Sequence, residues 1–160
     1  EVGTHMIKDI YSGSGSSSPE KLTAVGDLLY FRANDGANGN ELWVSDGTEA
    51  GTHLVKDIFP GSDSSYPYLS ADFAPGIILF AALSDDPTGE ELWVSDGTEA
   101  GTYLLADLNP IPYESFYLGE IVVVNGRAFV TGEDYYHEGE LWAVDYDPTP
   151  YRVYLPALLK

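Results

Sequence analysis

The sequence predicts an all-β chain of tandem four-stranded antiparallel units, and three observations predict it. The dodecapeptide ELWVSDGTEAGT at 41–52 returns unchanged at 91–102. Apolar residues alternate or cluster over four to seven positions before Gly, Pro, Asp, Asn or Ser interrupts them, which is the punctuation of strands and not of helices. Aromatic residues make up 13% of the chain, with twelve Tyr and three Trp, a content suited to half-buried pleated surfaces.

Alignment on the dodecapeptide gives three units. Trp43, Trp93 and Trp142 each close an ELW triplet, Phe31, Phe80 and Phe129 stand twelve or thirteen residues earlier, and the period is 48 to 50. A repeat of this length indicates a propeller blade or a solenoid coil. In the first full unit the strands are KLTAV (21–25), LLYFRA (28–33), ELWVSD (41–46) and THLVKDI (52–58), termed a, b, c and d in order. The a-to-b turns read Gly-Asp, Pro-Gly and Asn-Gly, and Asn125-Gly126 is the strongest two-residue hairpin signal in the chain. With 160 residues the chain suits one domain, burying roughly 70% of its unfolded surface. Its parts are an orphan outer strand at 1–10, units at 11–58 and 59–108, and a C-terminal capping unit at 109–160. The stretches 11–20, 59–67 and 109–117 read as connections between units, and Tyr66, Tyr68, Tyr113 and Tyr117 make them aromatic as well as polar.

Within strand c, Leu42 and Val44 alternate with Trp43, so one face carries the aliphatic pair and the other the indole. Such a strand needs apolar contacts on both faces, which assigns Trp43 and Trp93 to packing between neighbouring sheets. In SDGTEAGT the Asp46 and Asp96 carboxylates are placed to accept following backbone N–H groups, and Gly47, Gly51, Gly97 and Gly101 are expected to supply positive φ.

These residues carry a resemblance. ELWVSDGTEAGT, followed by LVKDI, a Pro-Gly or Ser-rich loop and an LLYF-type strand, resembles the ELWxxDGT repeat found in tandem in bacterial surface and secreted proteins. Two copies of the motif are perfect, and the third reads ELWAVDYDPTPY without the Gly-Thr pairs, as a terminal capping unit does. The resemblance implies a β-propeller-like fold and a surface location, and it implies no catalytic residue. The strand order is also similar to that of kelch-type blades.

Charge narrows the partners. Seven Lys plus Arg against twenty-six Asp plus Glu give a net charge of -19, which repels nucleic acid and anionic lipid surfaces. No window approaches about 18 apolar residues, so no direct membrane insertion is expected. There is no Cys, hence no disulfide framework, thiolate metal site or cysteine nucleophile. The sequence opens at Glu1 without Met, as after signal cleavage or excision from a longer parent, and an extracellular or cell-surface location is expected.

The most regular polar set is acidic: Asp35, Glu41 and Asp46 in the first unit, Asp86, Glu91 and Asp96 in the second, Asp134, Glu140 and Asp145 in the third. Calcium wants about six to eight oxygens, and loops such as NDGANGNE present several close together, although none is an EF-hand loop. The competing reading is that the aspartates cap turns and the ELW glutamate hydrogen-bonds across a hairpin, with no cofactor required. Paired carboxylates also suit glycoside hydrolysis, but a catalytic pair is used once per site, whereas these acids recur in each unit. His5 and His53 precede equivalent strands, Tyr103 replaces them in the next unit, and His137 stands alone, so no zinc set assembles.

The functional expectation is a non-enzymatic structural or adhesive extracellular module that self-associates by β-strand addition, as a dimer or a fibre-like assembly. The alternative is a carbohydrate-binding or carbohydrate-processing propeller, with a glycan or surface protein as partner. Three units are too few to close a ring, and THMIKDI (4–10) matches strand d although no a, b or c precedes it. YRVYLPALL (151–159) competes for the last outer position, although Pro156 removes a ladder donor. Addition of one chain's N-terminal strand to another chain gives a closed six-bladed dimer or an open fibre.

Overall fold

A computed structural model describes residues 3–85, 89–109, 111, 115–134 and 136–145. They form eleven strands and no helix. β1 (Glu20–Val25), β2 (Leu28–Asn34), β3 (Asn40–Ser45) and β4 (His53–Lys56) make sheet 1, hydrogen-bonded in sequence order. β5 (Tyr68–Ala74), β6 (Ile77–Leu83), β7 (Glu90–Ser95) and β8 (Tyr103–Ala106) make sheet 2 in the same way. β9 (Tyr117–Val124), β10 (Arg127–Glu133) and β11 (Glu140–Asp145) make a three-stranded sheet 3. All pairings are antiparallel. The expected strands a, b and c are present in each unit and d in the first two; residues 151–159 lie outside the described residues. The hairpin signal at Asn125-Gly126 is realised with both residues at positive φ, 52° and 75°, as a type I′ turn requires.

The pleat sends alternate side chains into different layers. Leu42 and Val44 join Tyr30, Ile78, Phe80 and Trp93 in the core between sheets 1 and 2. Leu92 and Val94 join Phe116, Ala128 and Val130, with Trp142 against them, between sheets 2 and 3. Trp43 packs with Phe31 and Ala33 on the other face of sheet 1. In the first two units both faces of strand c are therefore buried, as its apolar continuity predicts, whereas in the third Leu141 is exposed. The first strands approach one another, β1 to β5 and β5 to β9, so the sheets fan out from their first strands. An irregularity recurs at the same place in two sheets: Leu42 pairs with Lys56 and Trp43 with Leu54, as Leu92 pairs with Ala106 and Trp93 with Leu104. The extra residue, Val55 or Leu105, bends the outer strand onto the adjoining layer.

One expectation needs correction. Phe31 and Phe80 pair with Trp43 and Trp93, but Val130 stands opposite Trp142 and Phe129 pairs with Ala143. Counting from the aromatic residue shifts the third unit by one, which moves Phe129 to the opposite face. Residues 4–10 form no strand, because they have no neighbouring strand with which to build a ladder. They are held to sheet 1 by side chains: Lys8 Nζ donates to Thr52 O at 2.6 Å, and Ile10 packs against Phe31 and Trp43.

Candidate functional site

The copied dodecapeptide forms one hydrogen-bonded turn, twice. Asp46 Oδ1 accepts from Thr48 N at 2.8 Å and Thr48 Oγ1 at 2.7 Å, and Asp96 Oδ1 accepts from Thr98 N at 2.9 Å and Thr98 Oγ1 at 2.7 Å. Gly51 N donates to Thr48 Oγ1, Thr52 Oγ1 donates to Thr48 O, and Ser45 Oγ meets Thr52 Oγ1, each with its counterpart fifty residues on. The Thr48 hydroxyl and amide draw the Asp46 carboxyl below its ordinary range. Gly47 and Gly97 take φ of 88°, as expected. Gly51 and Gly101 do not take positive φ. They are required sterically, since a Cβ on either would lie 2.1 Å from the Asp46 or Asp96 carboxylate oxygen.

The ELW glutamates act elsewhere. Glu41 and Glu91 have no exposed surface. Glu41 does not bridge its hairpin alone: it accepts the Ile58 amide at 3.1 Å, just past β4, and the Ser65 amide at 2.8 Å and the Ser65 hydroxyl, in the connection to sheet 2. Glu91 accepts the Leu108 amide at 2.7 Å in the same place of the next unit. Burial pushes the Glu41 carboxyl up to about 7 against the opposing Ser65 and Ile58 hydrogen bonds, and Glu91 up to about 8 against that of Leu108. Glu41 thus ties the exit of sheet 1 to the approach of sheet 2, and Glu91 holds the exit of sheet 2.

Of the remaining acids, Asp35 and Asp134 serve turns, while Asp145 pairs with Arg127 on the neighbouring strand at 2.6 Å. Asp35 Oδ1 accepts the Ala37 and Asn38 amides, both at 2.9 Å; burial pushes its carboxyl up and these bonds outweigh it, leaving it below its ordinary range. Asp134 accepts the Tyr136 and His137 amides at 2.7 and 2.6 Å in the corresponding turn of sheet 3. Asp86 lies outside the described residues. Asp35, Glu41 and Asp46 thus serve different segments, as do Glu91 and Asp96, and among the described residues no three His, Asp or Glu side chains gather where they could hold a metal. An open depression of about 320 Å³ lies between the N-terminal segment and sheet 1, lined by Ile7, Asp27, Leu28 and Asp46 among others.

Two features of the joints between sheets escaped the reading of the sequence. Lys56 Nζ donates to Thr102 O of the next unit at 2.9 Å, as Lys8 does to Thr52 O. The legible signal was Lys in both MIKDI and LVKDI but Ala106 in LLADL, just before the unit that lacks Gly-Thr. The second is the role of Ser65, which is buried although its segment reads as a polar loop. No protein-family model, curated protein or solved structure matches this chain.

Proposed function

We propose that this chain is a non-enzymatic structural or adhesive module of the extracellular space or cell surface, with three propeller-like blades that self-associate through β-strand addition. One observation carries the reading: the repeated acids are occupied by the chain's own backbone, Asp46 and Asp96 in turns and Glu41 and Glu91 in the joints between sheets. Groups so engaged serve as scaffold, and the identical engagement of Asp46 and Asp96 in two units is the mark of architecture and not of a site used once. The resemblance to ELWxxDGT repeats supports the location, and the fan of sheets from their first strands supports the blade geometry. Light scattering at two protein concentrations tests the reading. A mass that rises with concentration to multiples of 17.4 kDa is expected, and a constant monomer mass up to millimolar protein overturns self-association.

A carbohydrate-binding role has one observation in its favour. Tyr66 is 50% exposed, and the Arg32 guanidinium stands 5.8 Å from its ring centroid, an aromatic and cationic pair on a connecting segment. Binding of neutral and acidic oligosaccharides to the parent, lost in Tyr66→Ala, would favour that role.

A further inference from the structure

The chain contains two Asn-Gly pairs, Asn38-Gly39 and Asn125-Gly126, and the fold treats them in opposite ways. Such a pair is open to a reaction with itself. The backbone nitrogen of the residue after an asparagine attacks the side-chain Cγ and closes a five-membered succinimide, and the side-chain nitrogen leaves as ammonia. Water then opens one of the two ring carbonyls and leaves either aspartate or isoaspartate. A following glycine favours ring closure, because it carries no Cβ to crowd the nitrogen and lets the backbone rotate. In a folded chain the rate depends on whether the side chain and the next peptide can leave their places.

Asn38 is held on both counts. Its Nδ2 donates to Asp35 Oδ2 at 2.7 Å, and its backbone N–H donates to Asp35 Oδ1 at 2.9 Å. Gly39 is buried, and a Cβ on it would lie 1.8 Å from Asp63 O, so the attacking nitrogen belongs to a residue wedged against the connection to sheet 2. Asn40 fixes the chain just beyond, since its N–H donates to Ser64 Oγ at 2.9 Å and its carbonyl accepts the Tyr66 amide at 3.1 Å. Ring closure at Asn38 therefore breaks a bond to a charged acceptor and disturbs the joint between sheets 1 and 2.

Asn125 and Gly126 form the two-residue tip between β9 and β10. The last ladder pair is Val124 with Arg127, so neither tip residue takes part in the register. Both are exposed, and among the described residues nothing lies within 4 Å of where a Gly126 Cβ would stand. The neighbouring Arg127 is engaged by Asp145 on β11, its Nε at 2.6 Å from Oδ1 and its Nη2 at 3.0 Å from Oδ2.

We propose that Asn125 is a site of spontaneous deamidation in the folded protein, and that Asp35 and the packing of Gly39 shield Asn38 from the same reaction. Water is the sole co-reactant, and the net change is amide plus water to carboxylate plus ammonium. The two products differ in their effect on sheet 3. Aspartate keeps the hairpin, since Asp-Gly also suits a type I′ turn, whereas isoaspartate adds a methylene to the main chain of the tip and spoils its match to the strand twist.

Ageing the full chain at mildly alkaline pH, folded and in urea, tests the assignment, with proteolysis and mass spectrometry of the peptides that carry residues 38 and 125. In the folded chain Asn125 should convert to a mixture of aspartate and isoaspartate while Asn38 keeps its amide. In urea the two should convert at similar rates. Asp35→Ala should speed conversion of Asn38 in the folded chain by about tenfold to a hundredfold, the worth of a hydrogen bond to a charged acceptor, and should leave the rate at Asn125 unchanged. Folded parent protein whose Asn125 keeps its amide as long as Asn38 does overturns the proposal. A preference for Asn125 that persists undiminished in urea overturns its structural cause, and an Asp35→Ala variant with the parent's circular dichroism spectrum that still protects Asn38 overturns the part assigned to Asp35.

Discussion

Replacing Glu41 probes the joint between sheets 1 and 2 directly. Glu41→Ala leaves the buried Ile58 and Ser65 amides without their acceptor. An orphaned buried donor costs about 1–3 kcal/mol, so the two together cost about 2–6 kcal/mol, a large part of the about 5–15 kcal/mol that holds a domain folded. Glu41→Gln keeps the shape, but whichever way the amide is placed its nitrogen faces one of the two N–H groups, for a cost of about 1–3 kcal/mol. The pH dependence adds a second signature. The native carboxyl holds its proton up to about 7 against an ordinary value of 4.5. Between these values the native state binds a proton that the unfolded chain has released, so stability falls as pH rises through the window. The contribution is whole below pH 4.5, is lost above pH 7, and amounts to on the order of 3 kcal/mol. Gln does not titrate, so the deficit of Glu41→Gln should be largest near pH 5 and should shrink or reverse by pH 8. Urea unfolding followed by tryptophan fluorescence, read at unchanged m, measures both effects. An Ala variant within about 0.5 kcal/mol of the parent at pH 5, or a Gln deficit that does not shrink with pH, refutes the reasoning.

Other outcomes follow from the same contacts. Trp93→Ala empties the core between sheets 1 and 2 and should cost about 3–5 kcal/mol in urea unfolding. Trp43→Ala removes the surface under Ile10, so limited proteolysis should cut within residues 3–10 faster than in the parent. Gly51→Ala should lower Tm in the parent but have little further effect in an Asp46→Ala background, where the carboxylate that the new Cβ would strike is gone; equal losses in both backgrounds would refute the steric role. Millimolar calcium should leave Tm unchanged, since the Asp46 and Asp96 carboxylates already accept from Thr48 and Thr98. A rise matching the about 2.7 kcal/mol expected at 100 times a dissociation constant, reversed by EDTA, would show a cation site.

Local rules carried most of the strand assignment. The period-2 pattern of ELWVS and the turn residues at Asn125-Gly126 act over a few positions, and each appears where the sequence places it. The role of Asp46 was legible for the same reason, because an aspartate followed by Gly-Thr finds its partner two residues on. Gly51 was misread because two physical demands select glycine, positive φ and close approach, and the sequence does not distinguish them. The register of Phe129 failed because an aromatic residue is a conspicuous landmark but the turn sets the count: Arg127 opens β10 as Leu28 opens β2, which places Val130 where Phe31 stands. Ser65 and Glu41 are 24 residues apart, and no periodicity reports such a pairing. Residues 4–10 show the limit most clearly, since they copy the sequence of a strand while a strand requires a neighbour.

The change from Lys56 to Ala106 gives the chain a mechanical gradient. The joint between sheets 1 and 2 has a directional bond from Lys56 to Thr102, whereas at the equivalent position in the joint between sheets 2 and 3 the side chain is a methyl group facing apolar neighbours. Apolar contact is non-directional, so that joint resists a small pivot with one directional bond fewer, although Phe116 N still donates to Glu90 O at 3.2 Å. Sheet 3 is then the compliant end of the array, opening at a lower free energy than the rest and exchanging its amide protons first.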